Sequence, residues 1–357
     1  MHTHTDVGGP AQPLLTISGL VKHFPLKRDA LGRGGGVVRA VDGVGFQVLK
    51  GETLGVVGES GCGKSTTARL LMQLMAPTAG EIVFDGRTVG SRDLPLKEFR
   101  RQVQMVFQDS YASLNPRLTI EDSVAFGPQV HGVPQREAVA RARSLLDRVG
   151  LAPARFAERY PHELSGGQRQ RVNIARALAL QPRMVILDEA VSALDKSVEA
   201  QVLNLLSELK AEFGLTYVFI SHDLNVVHYM SDRVMVMYLG QVAEIGPSDR
   251  LFKTPAHPYT AALLSSMPSM DPDRRTETAP LAGDPPNPIH PPSGCRFHPR
   301  CSVAAAVCAS RVPVHTITGP HHAAACLVHE PDSGHPQAGS VNPAAAADAV
   351  ATADTSA

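Results

Sequence analysis

The hydrophobic positions of this chain fall into two kinds of run. Short, nearly continuous apolar stretches occur in "TLGVVG" from residue 53, "MVILD" at 184–188 and "LTYVFIS" at 215–221. Such runs leave no polar face and predict strands buried on both sides. Between them, apolar residues recur at three- and four-residue spacing. "REAVARARSLLDRVGL" at 136–151 sets Arg and Glu between apolar residues. In "SVEAQVLNLLSELKAEFG", Val198, Val202, Leu205, Leu206, Leu209 and Phe213 share a helical period, and Gly214 is the expected stop. "LLTISGLVKHF" predicts a strand running into a loop, "VDGVGFQVLKGETLGVVG" two further strands, "TTARLLMQLM" a helix, and "RVMVMYLGQVAEIG" a hairpin. Buried strands alternating with helices predict an α/β domain with a largely parallel core.

That pattern stops near residue 250. "PLAGDPPNPIHPPSG" is Pro-rich and has no regular period, and after residue 331 the chain is mostly Ala, Pro, Ser and Asp. The expected organisation is a loose tail at 1–12, the α/β domain at 13–250, a small irregular extension at 251–330 and a disordered tail at 331–357. "ALGRGGG" at 30–36 predicts an exposed turn, and no internal repeat is visible.

Composition narrows the classes. Hydrophobic content of 43% and charged content of 19% suit a globular protein. Lys plus Arg equals Asp plus Glu at 34 each, so no basic excess points to nucleic acid. No run reaches the about 18 apolar residues of a membrane span, and "MHTHTDVGGPAQP" has no apolar core of a signal peptide. The expectation is an intracellular protein, in which clustered cysteines point to metal or redox chemistry rather than disulfides.

"GESGCGKST" at 58–66 has the spacing of a phosphate-binding loop: Gly58, four residues, Gly63, Lys64, Ser65. It follows a predicted strand and opens a predicted helix. Glycines let backbone N–H groups curl around a phosphate, and the helix N-terminus adds positive potential. Lys64 is placed to reach the β- and γ-phosphates and Ser65 to ligate Mg²⁺. Cys62 reads as a small residue fitting the turn, with a redox switch as the lesser alternative. The strand "MVILDE" ends in Asp188, which can hold Mg²⁺, and Glu189, which can act as general base towards water.

"LSGGQRQRVNIARAL" at 164–178 resembles the signature motif of ATP-binding-cassette (ABC) ATPases. Other segments agree in order: Gln108 in "MVFQDSYASLNP" resembles the Q-loop, Asp195 in "SALD" the D-loop, His222 in "VFISHDL" the switch histidine, and Phe24 in "VKHFP" the aromatic that stacks on adenine. The likeness covers about residues 14 to 250. It implies a P-loop NTPase fold with a helical subdomain, and ATP held by Gly58, Glu59, Ser60, Gly61, Cys62, Gly63, Lys64, Ser65 and Thr66. It further implies Mg²⁺ near Ser65, Gln108 and Asp188, and catalysis by Glu189, His222, Lys64 and Gln108. Two cassettes in this family pair head to tail, so Ser165, Gly166, Gly167 and Gln168 would face the γ-phosphate held by the other subunit, with Asp195 ordering the interface.

Finer agreement in "GETLGVVGESGCGKSTTARLL", "EAVSALDKSVEAQVLNLL" and "HPYTAALLSSMP" resembles the ATPase subunits of bacterial dipeptide and oligopeptide importers. That likeness implies a second ATPase subunit in a heterodimer, two membrane permease subunits, an extracytoplasmic solute-binding protein, and a peripheral place on the cytoplasmic face of the cell membrane. Nickel importers share the branch and remain an alternative. Lys196 departs from it, standing where an apolar residue is usual; it bears on the dimer interface and removes no catalytic group. A soluble cassette ATPase of DNA repair or translation would carry two cassettes, coiled-coil arms or zinc-finger insertions, none of which is present. A non-hydrolysing regulator would not need Glu189 and His222.

Cys295, Cys301, Cys308 and Cys326 follow a Cys-x5-Cys-x6-Cys-x17-Cys spacing. The paired C-x2-C units of zinc ribbons are missing. Four soft ligands suit zinc or an iron–sulfur cluster, and they also admit free thiols. The importer likeness implies a 4Fe-4S cluster, around which a segment without apolar periodicity could fold.

Overall fold

The computed structural model describes residues 12–26, 35–267 and 283–339. It opens with the long strands β1 (Pro13–Leu26) and β2 (Gly36–Leu49), then β3 (Thr53–Val57), α1 (Lys64–Leu71), β4 (Ala79–Phe84) and β5 (Arg87–Thr88). Next come α2 (Leu96–Gln102), β6 (Val103–Val106), α3 (Ile120–Val130), α4 (Gln135–Arg148), α5 (Pro153–Phe156), α6 (Gly166–Leu178) and β7 (Met184–Asp188). The chain continues through α7 (Lys196–Phe213), β8 (Thr216–Ile220), α8 (Leu224–Met230), β9 (Arg233–Tyr238), β10 (Gln241–Pro247), α9 (Ser248–Lys253) and α10 (Pro258–Ser265). It closes with the hairpin β11 (His315–Gly319) and β12 (His322–Ala325).

Two sheets form. An antiparallel one runs β2-β1-β4-β5, and a larger one runs β11-β12-β10-β9-β3-β8-β7-β6. From β9 to β6 the large sheet is parallel, and from β9 to β11 it is antiparallel. The continuous apolar runs are its central strands, because helices cover one face and the small sheet, together with α1 and α2, covers the other. On β7, Val185 and Leu187 join the core beneath the helices, while Met184 and Ile186 join Leu15, Phe46 and Leu70 beneath the small sheet. The same alternation separates Val234 and Val236 from Met235 and Met237 on β9. Each such side chain, fully buried, contributes about 1.5–3 kcal/mol.

Helices α3, α4 and α6 pack on one another as a helical layer beside the sheet. On α4 the buried face is Ala138, Ala142, Leu145 and Leu146. Helix α7 buries Val202, Leu205, Leu206 and Leu209 and ends at Gly214 in the left-handed region, φ 61°. Phe213, predicted for the same face, is 44% exposed, because the last turn runs past the core. Three other expectations shift. Strand β1 continues to Leu26, held by β2 up to the Leu26–Gly36 pair, where a loop was predicted after Phe24. Helix α1 stops at Leu71, and Gln73 turns the chain at φ 52°. Residues 331–339, predicted as tail, fold onto the extension: Ser333 and His335 are buried, and His335 Nε2 lies 3.0 Å from the Val303 carbonyl. The expected turn at 30–36 falls mostly outside the described residues, as do the tails at 1–11 and beyond 339.

Candidate functional site

Strand β3 lies between β8 and β9 at the middle of the large sheet, and the loop 58–63 leaves its C-terminal end. Gly63 adopts φ 107°, and a Cβ there would run into the Ala40 carbonyl oxygen. Only glycine lets the loop pass that close to β2 before α1 begins. Lys64 is buried; its Nζ donates to the Gly58 carbonyl at 2.7 Å and the Glu59 carbonyl at 3.1 Å. Cys62 is buried in the same turn, and burial pushes its thiol up, away from the reactive thiolate.

Strands β8, β7 and β6 run parallel to β3, so their C-terminal ends reach the same crevice. Asp188 ends β7 and accepts from Ser65 Oγ at 3.1 Å. Burial holds its carboxyl above the usual aspartate range, and the Ser65 hydrogen bond opposes that rise. Glu189 follows at a left-handed φ of 48°. Its Oε2 accepts from Gln108 Nε2 at 2.8 Å and lies 3.5 Å from His222 Nδ1. Gln108 comes from the segment after β6 and His222 from the segment after β8. These three residues, together with Ser60, Gly61, Gly63, Lys64, Ser65 and Thr66, line a cleft of about 440 Å³. Ser65, Gln108 and Asp188 each carry an oxygen donor of the kind Mg²⁺ takes, and Ser65 and Asp188 stand in hydrogen-bond contact.

The remaining predicted residues stand elsewhere. Ser165 is the N-cap of α6, where its side chain accepts from Gln168 N–H and Gln168 Oε1 accepts from Ser165 N–H. Gly167 packs against Val198, where a Cβ would clash. Ser165 and Asp195, the N-cap of α7, are exposed and do not line the cleft. Phe24, 36% exposed, pairs with Val38 across β1 and β2. Val38, Ala40 and Pro288 form the cleft wall on that side, and Phe24 stands one strand farther out. Lys196 Nζ bonds Asp223 at 2.9 Å and Glu199 at 3.0 Å, joining the start of α7 to the cap of α8.

The extension packs against the sheet through β12 and through the segment carrying the cysteines. All four of these cysteines are free thiols. Cys295 N–H donates to the Cys308 carbonyl at 2.8 Å. Burial pushes the Cys295 thiol up to about 11 and that of Cys326 up to about 12, and each is raised further by the neighbouring cysteines. Among the described residues, no group of three or more His, Cys, Asp or Glu side chains is arranged to hold a metal ion. No helix of the described residues is long and apolar enough to cross a membrane.

Sequence reasoning missed the residues that bind this segment to the phosphate loop. Arg300 makes a two-pronged ion pair with Glu59, and Arg296 bonds Asp42 and the Leu239 carbonyl. Tyr259 Oη accepts from the Glu59 N–H at 2.9 Å. Pro288 reaches the cleft wall because its carbonyl accepts from Arg39 N–H at 3.3 Å. No local pattern announces contacts between segments some two hundred residues apart.

Comparison with known proteins agrees with this geometry. The family model described as "ABC transporter" matches residues 41–192, and that described as "Oligopeptide/dipeptide transporter, C-terminal region" matches 243–308. A probable peptide ABC transporter ATP-binding protein, y4tS, of Sinorhizobium fredii is 50% identical over 320 residues, covering 89% of this chain and 90% of its own. The oligopeptide transport ATP-binding protein AppF of Bacillus subtilis is 49% identical, covering 89% and 98%. The dipeptide transport ATP-binding protein DppF of Haemophilus influenzae is 49% identical, covering 84% and 92%. Among solved structures, a dimeric post-hydrolysis state of the ATP-binding cassette MJ0796, bound to ADP and Pi, superposes with a TM-score of 0.57 at 29% identity. It covers 66% of this chain and 98% of that one. CbiO1 of Clostridium perfringens, part of the transporter complex cbiONQ, gives 0.58 at 28%, covering 68% and 91%.

The fold and the cleft are those of a P-loop ATPase of the cassette type. The chain belongs to the ABC transporter family, as an ATP-hydrolysing cassette that carries the oligopeptide/dipeptide transporter C-terminal region.

Proposed function

We propose that this chain is the ATP-hydrolysing motor of an importer that carries dipeptides or oligopeptides across the cell membrane. One observation carries the reading: a phosphate-loop cleft lined by Lys64, Ser65, Gln108, Glu189 and His222 and an extension of the oligopeptide/dipeptide transporter type occur in one chain. The peptide-transport names of relatives near 50% identity support the same substrate class.

In this reading the loop amides and Lys64 hold the β- and γ-phosphates, and Phe24, beside Val38, offers a face to the adenine. Ser65, Gln108 and Asp188 would hold Mg²⁺, which supplies charge neutralisation on the phosphates when bound. Glu189 orients water and takes its proton, held in place by Gln108, while His222 contacts the γ-phosphate. Ser165, Gly166, Gly167 and Gln168 open a helix outside the cleft, and by likeness to the head-to-tail pairing of cassettes in this family they would serve the phosphate of a second cassette. Asp195 orders that interface. The partners are a second ATPase subunit, forming a heterodimer, two membrane permease subunits and an extracytoplasmic solute-binding protein. The chain then works at the cytoplasmic face of the membrane.

Cys295, Cys301, Cys308 and Cys326 hold a 4Fe-4S cluster in this proposal. What supports it is the gathering of four free soft-donor side chains in one small module. Zinc, which four thiolates also suit, is the alternative. Anaerobic purification with iron, sulfide and zinc analysis separates the two.

The transport reading is tested by disrupting the chain in its host and measuring uptake of labelled di- and oligopeptides. Loss of uptake, restored by the wild-type chain and not by Glu189→Gln, is expected. Intact peptide uptake with lost nickel uptake would move the assignment to the nickel importers of the same branch.

A further inference from the structure

Glu59, inside the phosphate loop, is held at three points. Its carboxylate takes two parallel bonds from the Arg300 guanidinium, Nη1 to Oε2 at 2.8 Å and Nη2 to Oε1 at 3.0 Å. Its N–H donates to Tyr259 Oη at 2.9 Å, and its carbonyl accepts from Lys64 Nζ at 3.1 Å. Arg300 is the residue before Cys301, its side chain is 6% exposed, and its guanidinium also lies 6.0 Å from the centre of the Tyr238 ring. Tyr259 belongs to α10. Both outer holds on Glu59 therefore come from beyond residue 250, and the third is the lysine that serves the phosphates.

We propose that Arg300 is a positioning residue for nucleotide binding: by gripping Glu59 from the extension, it fixes the phosphate loop and the approach of Lys64 to the phosphates. This rests on the reading of the loop as the ATP site. The fork geometry is what the position requires. A planar guanidinium satisfies both carboxylate oxygens at once, which a lysine ammonium cannot do with the same direction. Desolvating this partly buried pair offsets much of its attraction, so we assign it a role in geometry rather than in net stability. The grip also gives the extension a direct role at the catalytic loop.

The test is equilibrium binding of trinitrophenyl-ATP with Mg²⁺ to the full-length chain, as wild type, Arg300→Lys, Glu59→Gln and the double variant. Each single change is expected to raise the Kd about tenfold with the binding stoichiometry unchanged, and the double to bind no more weakly than the weaker single. Tyr259→Phe, which removes the acceptor for the Glu59 N–H, is expected to shift the Kd in the same direction. A merely structural role for Arg300 would lower the stoichiometry of competent protein and leave the Kd in place, and that result would overturn the proposal. Losses that add in the double variant, or an unchanged Kd in both singles, would do so as well. Failure of the wild-type chain itself to bind the analogue would sink the ATP-site reading instead, which keeps the two failures apart.

Discussion

Gln108 Nε2 donates to Glu189 Oε2 at 2.8 Å, so the segment after β6 holds the first carboxylate after β7. The bond engages one oxygen of Glu189 and leaves the other for the proposed role of taking a proton from water. Glu189→Gln keeps an oxygen acceptor for Gln108 and removes the base. Hydrolysis should fall about 10²- to 10⁴-fold while ATP binding persists. Phosphate release measured beside equilibrium nucleotide binding checks both halves; turnover at the wild-type rate would refute the mechanism.

Asp188 sets a pH dependence. Burial holds its carboxyl above the ordinary range, against the hydrogen bond from Ser65. It therefore takes up a proton at a higher pH than an exposed aspartate would. The Mg²⁺ concentration needed for half-maximal turnover should rise as pH falls, starting above the usual aspartate range. In the metal-free chain the sign for stability is opposite to that of a salt-bridged aspartate. The folded-state pKa is raised, so ionised Asp188 costs stability at neutral pH and the cost is relieved on acidification. Asp188→Asn should then leave the melting temperature at pH 7 undiminished while Mg²⁺ affinity collapses. A lowered melting temperature with normal Mg²⁺ affinity would contradict this.

Two loop glycines should differ. At Gly63 the φ of 107° is combined with a backbone oxygen, that of Ala40, in the path of any Cβ. At Gly61 the φ is 78° and nothing lies within 4 Å of an added Cβ. Gly63→Ala should therefore weaken ATP binding by well over about tenfold, whereas Gly61→Ala carries only the backbone strain of about 1–3 kcal/mol. Equal affinities in the two variants would show that the close approach to β2 does not matter.

Glu244 anchors the extension to the cassette. Fully buried, it meets His322 Nε2 at 2.6 Å and accepts from the N–H groups of Ala256 at 2.8 Å and His257 at 2.9 Å. Burial alone would raise its pKa, yet these partners together hold it below the ordinary glutamate value. Glu244→Ala strands three donors and should cost about 3–5 kcal/mol. Denaturant unfolding followed by circular dichroism reads the loss, and a change under about 0.5 kcal/mol, the range of an ordinary surface substitution, would remove Glu244 from this role.

The phosphate loop, Asp188 and Glu189 were legible in the sequence because their chemistry is local: a buried strand, a turn and the next side chain. Gln108 and His222 were legible through the family likeness, and the parallel order of β3, β8, β7 and β6 explains why they meet. Contacts made by the extension were not legible. Arg300 and Glu59 are 241 residues apart, and nothing in the periodicity of "FHPRC" aims a guanidinium at a loop near residue 60. Strand β12, "HAAA", has little strand propensity of its own. It forms because β10 offers an edge, with Glu244 paired to Ala324, and because Gly246 leaves room for the His322 ring. Residues 331–339 read as tail from composition, and a few side-chain bonds from Ser333 and His335 fold them back.

The β11–β12 hairpin has one more consequence. β10 pairs with β9 on one side and with β12 on the other, so the hairpin is the selvedge that finishes the woven edge of the large sheet. Beyond it, the outermost strand is the five-residue β11, with exposed Ile317. Cut back to its cassette, the chain would expose the frayed side of β10, a row of free amides and carbonyls on which another copy could lay a strand. The extension thus covers the edge of β10 and leaves the shorter β11 as the outermost strand.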